Sequence, residues 1–273
     1  MGLKADVLWP IVAVELWQTQ VAFAIGLLGI YGGWKGTISE MTGFYDLAGS
    51  VKHLIYGIFV GMLLAVFVDR MILSSVILSY LNIFGAFTVA ILIAAAESAF
   101  VIFLLSRSRT ASLRASPPFG WALGLGIGSM QACVLIFRLF DKDLAYSDYS
   151  GVNAISLSLA IVIALCSCLG HALLACWQGA ELLESNRLRP YLMSTLYRAA
   201  LTICLVLSLF SPFTLIAVLP ALALAWGRAQ TNWLPSGMTP AAKQAYRRTT
   251  RQSERHKEAS ASRIRGEYVD SDE

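Results

Sequence analysis

The sequence predicts an all-α protein, a bundle of about seven transmembrane helices. Of its 273 residues, 57% are hydrophobic and only 14% are charged, whereas soluble domains carry about 25% charged residues. The hydrophobic residues are collected into runs that approach or exceed the roughly 20 residues needed to cross a bilayer. Much of the charge is instead concentrated in the C-terminal tail. These observations indicate an integral membrane protein, which we expect in the plasma membrane.

Seven apolar runs define a predicted transmembrane domain over residues 1–229. They cover residues 8–33, 53–69, 84–106, 118–139, 153–180, 192–210 and 213–229. The first run is too long for the apolar core of a signal peptide, so we expect it to be retained. The segment 71–82 is apolar but rich in serine, so it either lies along the membrane interface or extends a neighbouring helix. The last run is short and contains Pro220, which interrupts a helix.

The charges of the loops predict the orientation of the chain. Basic residues in short loops mark the cytoplasmic side of a membrane. Basic loops follow the third and fifth runs, and an acidic loop follows the fourth. In chain order these loops contain Arg107, Arg109 and Arg114, then Asp141, Asp143 and Asp148, and then Arg187 and Arg189. This alternation places the N-terminus outside and the C-terminus in the cytoplasm.

Residues 230–273 form a charged cytoplasmic tail that we expect to be partly disordered. Thr239 followed by Pro240 predicts the start of a short basic helix over residues 241–257. Such a helix is expected to rest on anionic headgroups, so membrane lipids are expected partners. The formal net charge of +4 is too small to indicate nucleic-acid binding.

Glu97 is the most unusual residue, because it interrupts an apolar run long enough to span the membrane. A carboxylate near the bilayer centre costs at least about 2.5–3.5 kcal/mol on insertion scales, so it normally faces the bundle interior, a cavity or a partner. Gln131 and His171 lie at similar depth in neighbouring runs. The three side chains either hydrogen-bond one another to hold helices together or form a functional site.

The cysteines all lie in apolar runs, which argues against a disulfide framework. They are Cys133, Cys166, Cys168, Cys176 and Cys204. Only Cys168 shares a helix face with His171, whereas a closed metal site usually has three or four ligands. We therefore expect neither a metal nor another cofactor.

Glycines recur at four-residue spacing in the fourth run, at Gly120, Gly124 and Gly128. This spacing lines one helix face with glycine and allows another backbone to approach closely. Gln131 follows three residues after Gly128 and lies on the same face. The glycine face predicts a closely packed partner, which is either another helix of this chain or another membrane protein, as a substrate or an assembly partner.

A glutamate and a histidine in a desolvated cavity can activate a water molecule. Glu97 would act as the general base, and His171 would stabilise the oxyanion formed when an acyl centre is attacked. Gln131 would complete this catalytic group. Such chemistry hydrolyses a peptide bond without a metal. The same glutamate and histidine can also relay protons in a transporter, so the residues alone do not choose between these activities.

Three segments resemble parts of one superfamily of membrane proteins. They are AAAESAF around Glu97, the stretch 120–137 (GWALGLGIGSMQACVLIF) and the stretch 169–185 (LGHALLACWQGAELLES) with His171. With seven spans and an outside N-terminus, they resemble the superfamily that unites PrsW-type membrane proteases, YhfC-like proteins and the Aph subunit of γ-secretase. The resemblance covers residues 55–228 in outline and implies a shared helical fold with Glu97 and His171 at its site.

Departures from the superfamily pattern leave the activity open. The proteolytic members carry paired glutamates where this chain has Glu97 and Ser98, and another glutamate where it has Gln131. Aph-like members carry a second histidine at the level of Tyr197 and Arg198. The resemblance therefore implies either a glutamic-type intramembrane peptidase or a non-catalytic scaffold that assembles through its glycine faces. A small-solute or proton-coupled transporter or channel is the alternative.

Overall fold

The structure is a computed structural model that describes residues 14–41, 43–77, 82–108, 110 and 113–265. Over these residues the chain forms helices and no strands. The α-helices are α1 (Leu16–Gly33), α2 (Leu47–Phe67), α3 (Ser74–Ile77), α4 (Ile83–Leu105), α5 (Ser116–Leu139), α6 (Ala154–Leu182), α7 (Leu188–Leu207), α8 (Thr214–Arg228) and α9 (Pro240–Ile264). The predicted all-α class is therefore confirmed for the described part of the chain.

Six helical segments among the described residues are long and apolar enough to cross a membrane. They are Leu16–Ile38, Leu47–Leu73, Phe84–Leu105, Ser116–Leu139, Ala154–Leu182 and Leu188–Leu207. These segments indicate an integral membrane protein, as the sequence predicts. The seventh predicted span corresponds to α8, which has 15 residues and rises only about 22 Å. A π-helical turn, Ala229–Trp233, continues it. The count of seven spans stays a prediction.

The helix limits differ from the predicted runs where polar caps and π-turns decide them. The second span begins at Leu47, six residues early, because the Asp46 side chain accepts a hydrogen bond from the Gly49 backbone N–H at 3.1 Å. At its other end, a π-turn over Val68–Leu73 leads directly into α3. Up to Ile77, the serine-rich segment therefore extends its neighbour. Residues 8–13 of the first predicted span lie outside the described residues.

Helix α5 lies at the centre of the bundle and is buried along almost its whole length. Its glycine face is covered by α6 of the same chain. A Cβ atom added at Gly120, Gly124 or Gly128 would lie 2.3, 2.3 or 2.4 Å from a backbone oxygen of α6. Such distances are too short for any side chain, so these glycines permit direct backbone contact. The closely packed partner that the spacing predicts is thus an internal helix.

A second glycine face joins α5 to α2. A Cβ atom at Gly57 would lie 2.2 Å from the Leu123 carbonyl oxygen, and one at Gly126 would lie 2.5 Å from the Leu54 carbonyl oxygen. Helix α5 is therefore held between two backbones on two sides. Dispersion contacts of this kind are a main source of attraction between helices in lipid. The hydrophobic effect does not drive helices together there, because the lipid tails are as apolar as the helix surfaces.

The start of the predicted tail packs on the bundle. Leu234 is buried beside Trp121 of α5 in one apolar cluster. The ring of Tyr246 on α9 meets Phe44 edge-on, with 5.5 Å between ring centroids. Helix α9 runs to Ile264, longer than the predicted basic helix. The tail is therefore helical from Pro240 to Ile264 and contacts the rest of the chain at Leu234 and Tyr246. Residues 266–273 lie outside the described part.

Candidate functional site

Glu97 on α4 and His171 on α6 lie in direct contact. The Nδ1 atom of His171 is 2.7 Å from Oε1 of Glu97, although the residues are 74 positions apart. Glu97 is 4% exposed and His171 is fully buried. This pair forms a hydrogen bond, and also an ion pair when the imidazole is protonated. The structure thus brings together two of the three predicted site residues.

Arg198 on α7 completes an ionic group around Glu97. Its Nε atom lies 2.9 Å from the same Oε1 atom that His171 contacts. The Nε–H bond is not aimed at that oxygen, and Nε has no hydrogen-bond partner among the described residues. The contact is therefore an ion pair made at close range without hydrogen-bond geometry. Arg198 is fully buried, where an unpaired charge is costly. The nearby Glu97 carboxylate offsets that charge.

The Arg198 guanidinium extends the network to polar side chains on the neighbouring helices. Its Nη1 atom donates to Ser98 Oγ at 3.0 Å and to Gln178 Oε1 at 2.9 Å. The Gln178 amide donates to Ser194 Oγ at 2.6 Å, and that hydroxyl donates to Ser98 Oγ at 3.0 Å. These contacts join α4, α6 and α7. We call the six residues Glu97, Ser98, His171, Gln178, Ser194 and Arg198 the polar network.

The charges of the polar network stabilise each other in a medium that excludes water. Taking a carboxylate and a guanidinium out of water costs several kcal/mol per ion, and mutual attraction offsets this only with close geometry and further hydrogen bonds. The polar network meets that condition through Ser98 and Gln178. Removal of one charged partner would leave the other buried and uncompensated, at a cost of about 3–5 kcal/mol.

Gln131 lies outside the polar network. Its Nε2 atom donates to Thr202 Oγ1 on α7 at 3.4 Å, a long and weak hydrogen bond. Among the described residues, no hydrogen bond joins Gln131 to Glu97 or His171. Thr202 lies one helical turn beyond Arg198, so Gln131 approaches the neighbourhood of the network without direct contact. The geometry therefore gives Gln131 no place in a shared catalytic contact with the other two.

Sequence reasoning did not place Arg198 in the site, although it is the second basic side chain that contacts Glu97. The signal was present, because a charged residue inside an apolar run is as unusual as Glu97. Ser194, Arg198 and Thr202 also recur at four-residue spacing, which places them on one helix face. That polar stripe in an otherwise apolar helix predicts a buried partner of opposite charge, and Glu97 is that partner.

Three buried nitrogen atoms of the polar network have no hydrogen-bond partner among the described residues. Arg198 Nε contacts Glu97 only as an ion pair, and the other two atoms are His171 Nε2 and Arg198 Nη2. An unsatisfied buried polar atom costs about 1–3 kcal/mol, and a hydrogen bond to a small polar group would remove that cost. Glu97 is 4% exposed, and the other five residues of the polar network are fully buried. The site is thus enclosed within the bundle.

Comparison with family models, with curated proteins and with solved structures finds no match to this chain. The superfamily resemblance therefore rests on the three sequence segments and stays a prediction. Among the described residues, no group of three or more histidine, cysteine, aspartate or glutamate side chains is arranged to hold a metal ion. The five cysteines are free thiols. The ionisable groups of the polar network are one carboxylate, one imidazole and one guanidinium.

Proposed function

We propose that this protein is a non-catalytic scaffold of the superfamily that unites PrsW-type proteases, YhfC-like proteins and Aph subunits. The observation that carries the proposal is the double pairing of Glu97. One carboxylate oxygen lies within 2.9 Å of both the His171 imidazole and the Arg198 guanidinium. A general base must reach the proton of its substrate or of a water molecule. Glu97 is instead held by two side chains that fasten three helices together.

The distribution of charge supports the proposed orientation, with seven spans and the C-terminus in the cytoplasm. Helices α6 and α8 end, and α5 and α7 begin, at the same end of the bundle, and the arginines of those termini lie there. They are Arg114, Arg187, Arg189 and Arg228. The loop between α5 and α6, at the opposite end, carries Asp141, Asp143 and Asp148. Basic loops mark the cytoplasmic side, so this asymmetry favours an outside N-terminus.

A scaffold of this kind would meet its partner on its outer surface. The face of Gly120, Gly124 and Gly128 is filled by α6 of the same chain, so a membrane-protein partner there would have to displace α6. The large apolar side chains that point away from the bundle are better placed. Phe59 is 74% exposed and Leu92 is 65% exposed. In the isolated chain these side chains would face lipid, and in a complex they would face the partner.

A glutamic-type peptidase is the second candidate, and the unsatisfied nitrogens of the polar network favour it. His171 Nε2 and Arg198 Nη2 are buried without partners among the described residues. When the imidazole is protonated, so that Nε2 also carries a hydrogen, and both N–H groups face the same point, they can donate to a peptide carbonyl oxygen as its carbon is attacked. The transporter alternative needs a polar path across the bilayer. The stripe from Ser194 to Thr202 rises only about 12 Å, less than half of the roughly 30 Å hydrocarbon core.

The deciding experiment compares peptides released from membranes that contain the wild-type protein or the Glu97→Gln variant. Mass spectrometry of the released peptides would reveal cleavage within or beside transmembrane segments. A scaffold gives the same peptide set for both proteins, and Glu97→Gln changes its stability only. Gln131→Leu is the matched control, because Gln131 lies outside the polar network. Peptides that disappear in Glu97→Gln, while the variant stays folded, would establish the peptidase instead.

A further inference from the structure

A groove on the outer surface of the bundle lies between α6, α7 and α8. Its volume is about 560 Å³. The walls are mainly apolar and are formed by side chains such as Leu173 on α6, Leu201 on α7 and Leu222 on α8. Small residues make the room, including Ala200 and Ala221. The groove follows the side of the bundle instead of leading to the polar network.

The length of this groove matches one leaflet of a bilayer. It follows α8 from Ala217 to Arg228, a rise of about 16 Å along a helix. The hydrocarbon core of a bilayer is about 30 Å thick, so one leaflet contributes roughly 15 Å. An extended acyl chain that enters from the lipid would therefore lie along the groove from the bilayer interior to its surface.

Two arginines lie at one end of the groove only. Arg189 is in the first turn of α7 and Arg228 is the last residue of α8, and both are exposed lining residues. No carboxylate among the described residues lies within ion-pair distance of either arginine. Glu181, at the end of α6, accepts instead from Trp177 and Asn186. The arginine charges at this end are thus available to a ligand.

Two tryptophans lie beside the arginines, at the depth where lipid headgroups are expected. Trp177 and Trp233 line the same end of the groove as Arg189 and Arg228. Tryptophan is enriched at the boundary between hydrocarbon and headgroups, where its ring is apolar and its N–H is wet. The groove therefore has an apolar part in the hydrocarbon and a cationic part at the interface. Its chemistry is that of a receptor for an amphipathic anion.

We propose that this groove binds one anionic phospholipid. An acyl chain would fill the apolar part, and the headgroup phosphate would bind between Arg189 and Arg228, because guanidinium groups match phosphate geometry. The two arginines at one end favour an anionic lipid over a transmembrane helix, because the backbone polar groups of such a helix are already bonded to each other.

The lipid site is distinct from the polar network, although the same helices carry both. Gly170 and Tyr197 line the groove, and they directly precede His171 and Arg198 in the sequence. Helices α6 and α7 thus present one side to the lipid and the other to Glu97. The proposal therefore goes beyond the scaffold function and does not depend on it.

The experiment measures lipid binding to the purified full-length protein by native mass spectrometry in detergent. Dioleoylphosphatidylglycerol and dioleoylphosphatidylcholine are titrated separately, because they share acyl chains and differ in net charge. We expect the anionic lipid to bind at least tenfold more tightly. The double variant Arg189→Gln/Arg228→Gln should lose this preference. Ala221→Phe should weaken the binding of both lipids, because its ring fills the apolar part of the groove.

Matched controls separate a defined site from general attraction to charge. Arg187→Gln/Arg248→Gln removes the same two charges from residues that do not line the groove, and it should keep the preference. Ala223→Phe adds the same ring on α8 outside the groove and should bind both lipids normally. Equal losses in test and control variants would overturn the proposal. Displacement of the anionic lipid by inorganic phosphate alone would also overturn it, since the acyl chain would then contribute nothing.

Discussion

Arg198 on α7 places its Nε atom 2.9 Å from Oε1 of Glu97 on α4, with both side chains enclosed in the bundle. This contact changes the meaning of an acid in a transmembrane run. An unpaired glutamate inside the membrane would have to face a water-filled cavity or be protonated. A glutamate paired with an arginine instead links two helices through an ion pair. His171 contacts the same oxygen from a third helix. Glu97 is therefore the point where α4, α6 and α7 are joined.

Arg198→Met is expected to destabilise the protein by about 3–5 kcal/mol, because it leaves the Glu97 carboxylate buried without its matching charge. Reversible unfolding in mixed micelles measures this loss. Tyr197→Phe is the control, since Tyr197 is 58% exposed on the adjacent position of the same helix. An equal loss in both variants would mean that α7 is sensitive to any substitution, and the ion pair would not be its cause.

Gly124→Ala is expected to destabilise the bundle by about 1–3 kcal/mol, the range for overpacking a tight interior. Its new Cβ atom would lie 2.3 Å from the His171 carbonyl oxygen, so α5 and α6 would have to move apart. Gly32→Ala offers a matched control, because a Cβ atom there meets nothing within 4 Å among the described residues. Thermal denaturation should show a lowered Tm for Gly124→Ala alone. Unchanged stability of Gly124→Ala would contradict direct backbone packing.

Asp69→Asn is expected to cost about 3–5 kcal/mol, because it leaves Arg138 buried and unpaired. Arg138 binds Asp69 through two contacts, Nε to Oδ1 at 2.6 Å and Nη2 to Oδ2 at 2.8 Å. Arg70, the neighbouring cation, lies 3.9 Å from Asp69 with 45% of its side chain exposed. Arg70→Gln should therefore cost less than about 1 kcal/mol. The two unfolding free energies, measured side by side, check this difference, and similar values would refute it.

Gln178→Leu is expected to cost about 1–3 kcal/mol, since it removes an acceptor from Arg198 Nη1 and a donor to Ser194 inside the bundle. Gln131→Leu should cost less than about 1 kcal/mol, because its bond to Thr202 is long and that hydroxyl can turn to its own helix backbone. Comparing the two variants in one unfolding experiment distinguishes the polar network from its surroundings. A larger loss for Gln131→Leu would show that the network has been assigned to the wrong amide.

The sequence predicts the architecture of this protein well, because membrane helices are encoded in composition. Runs of apolar residues long enough to span lipid have almost no alternative to a helix, and the structure has helices at each of the seven predicted places. The glycine spacing of α5 similarly predicts a close backbone partner, and α6 provides it. Helix limits such as Leu47 depend on local caps and π-turns, which periodicity does not reveal.

The site was predicted only in part, because side-chain partners depend on how helices rotate against each other. The similar depth of Glu97 and His171 in their apolar runs indicated that the two side chains could meet, and they are in contact. It also suggested Gln131, which lies at a similar depth but bonds to Thr202. Arg198 shows the reverse case. It was noted only as a departure from a family pattern, yet the rotation of α7 turns it into the bundle and onto Glu97.

The most direct test of the account is a double-mutant cycle between Glu97 and Arg198. The free energy of unfolding is measured in mixed micelles for the wild type, Glu97→Gln, Arg198→Met and the double variant. If the two charges stabilise each other inside the bundle, each single variant leaves one buried charge uncompensated, whereas the double variant removes both. The account predicts that the double variant loses less unfolding free energy than the two single variants lose together. The difference should be about 2 kcal/mol or more, within the range of coupled neighbours. Additive losses would contradict it, because Glu97 would then act independently of Arg198 and remain free to serve as a base.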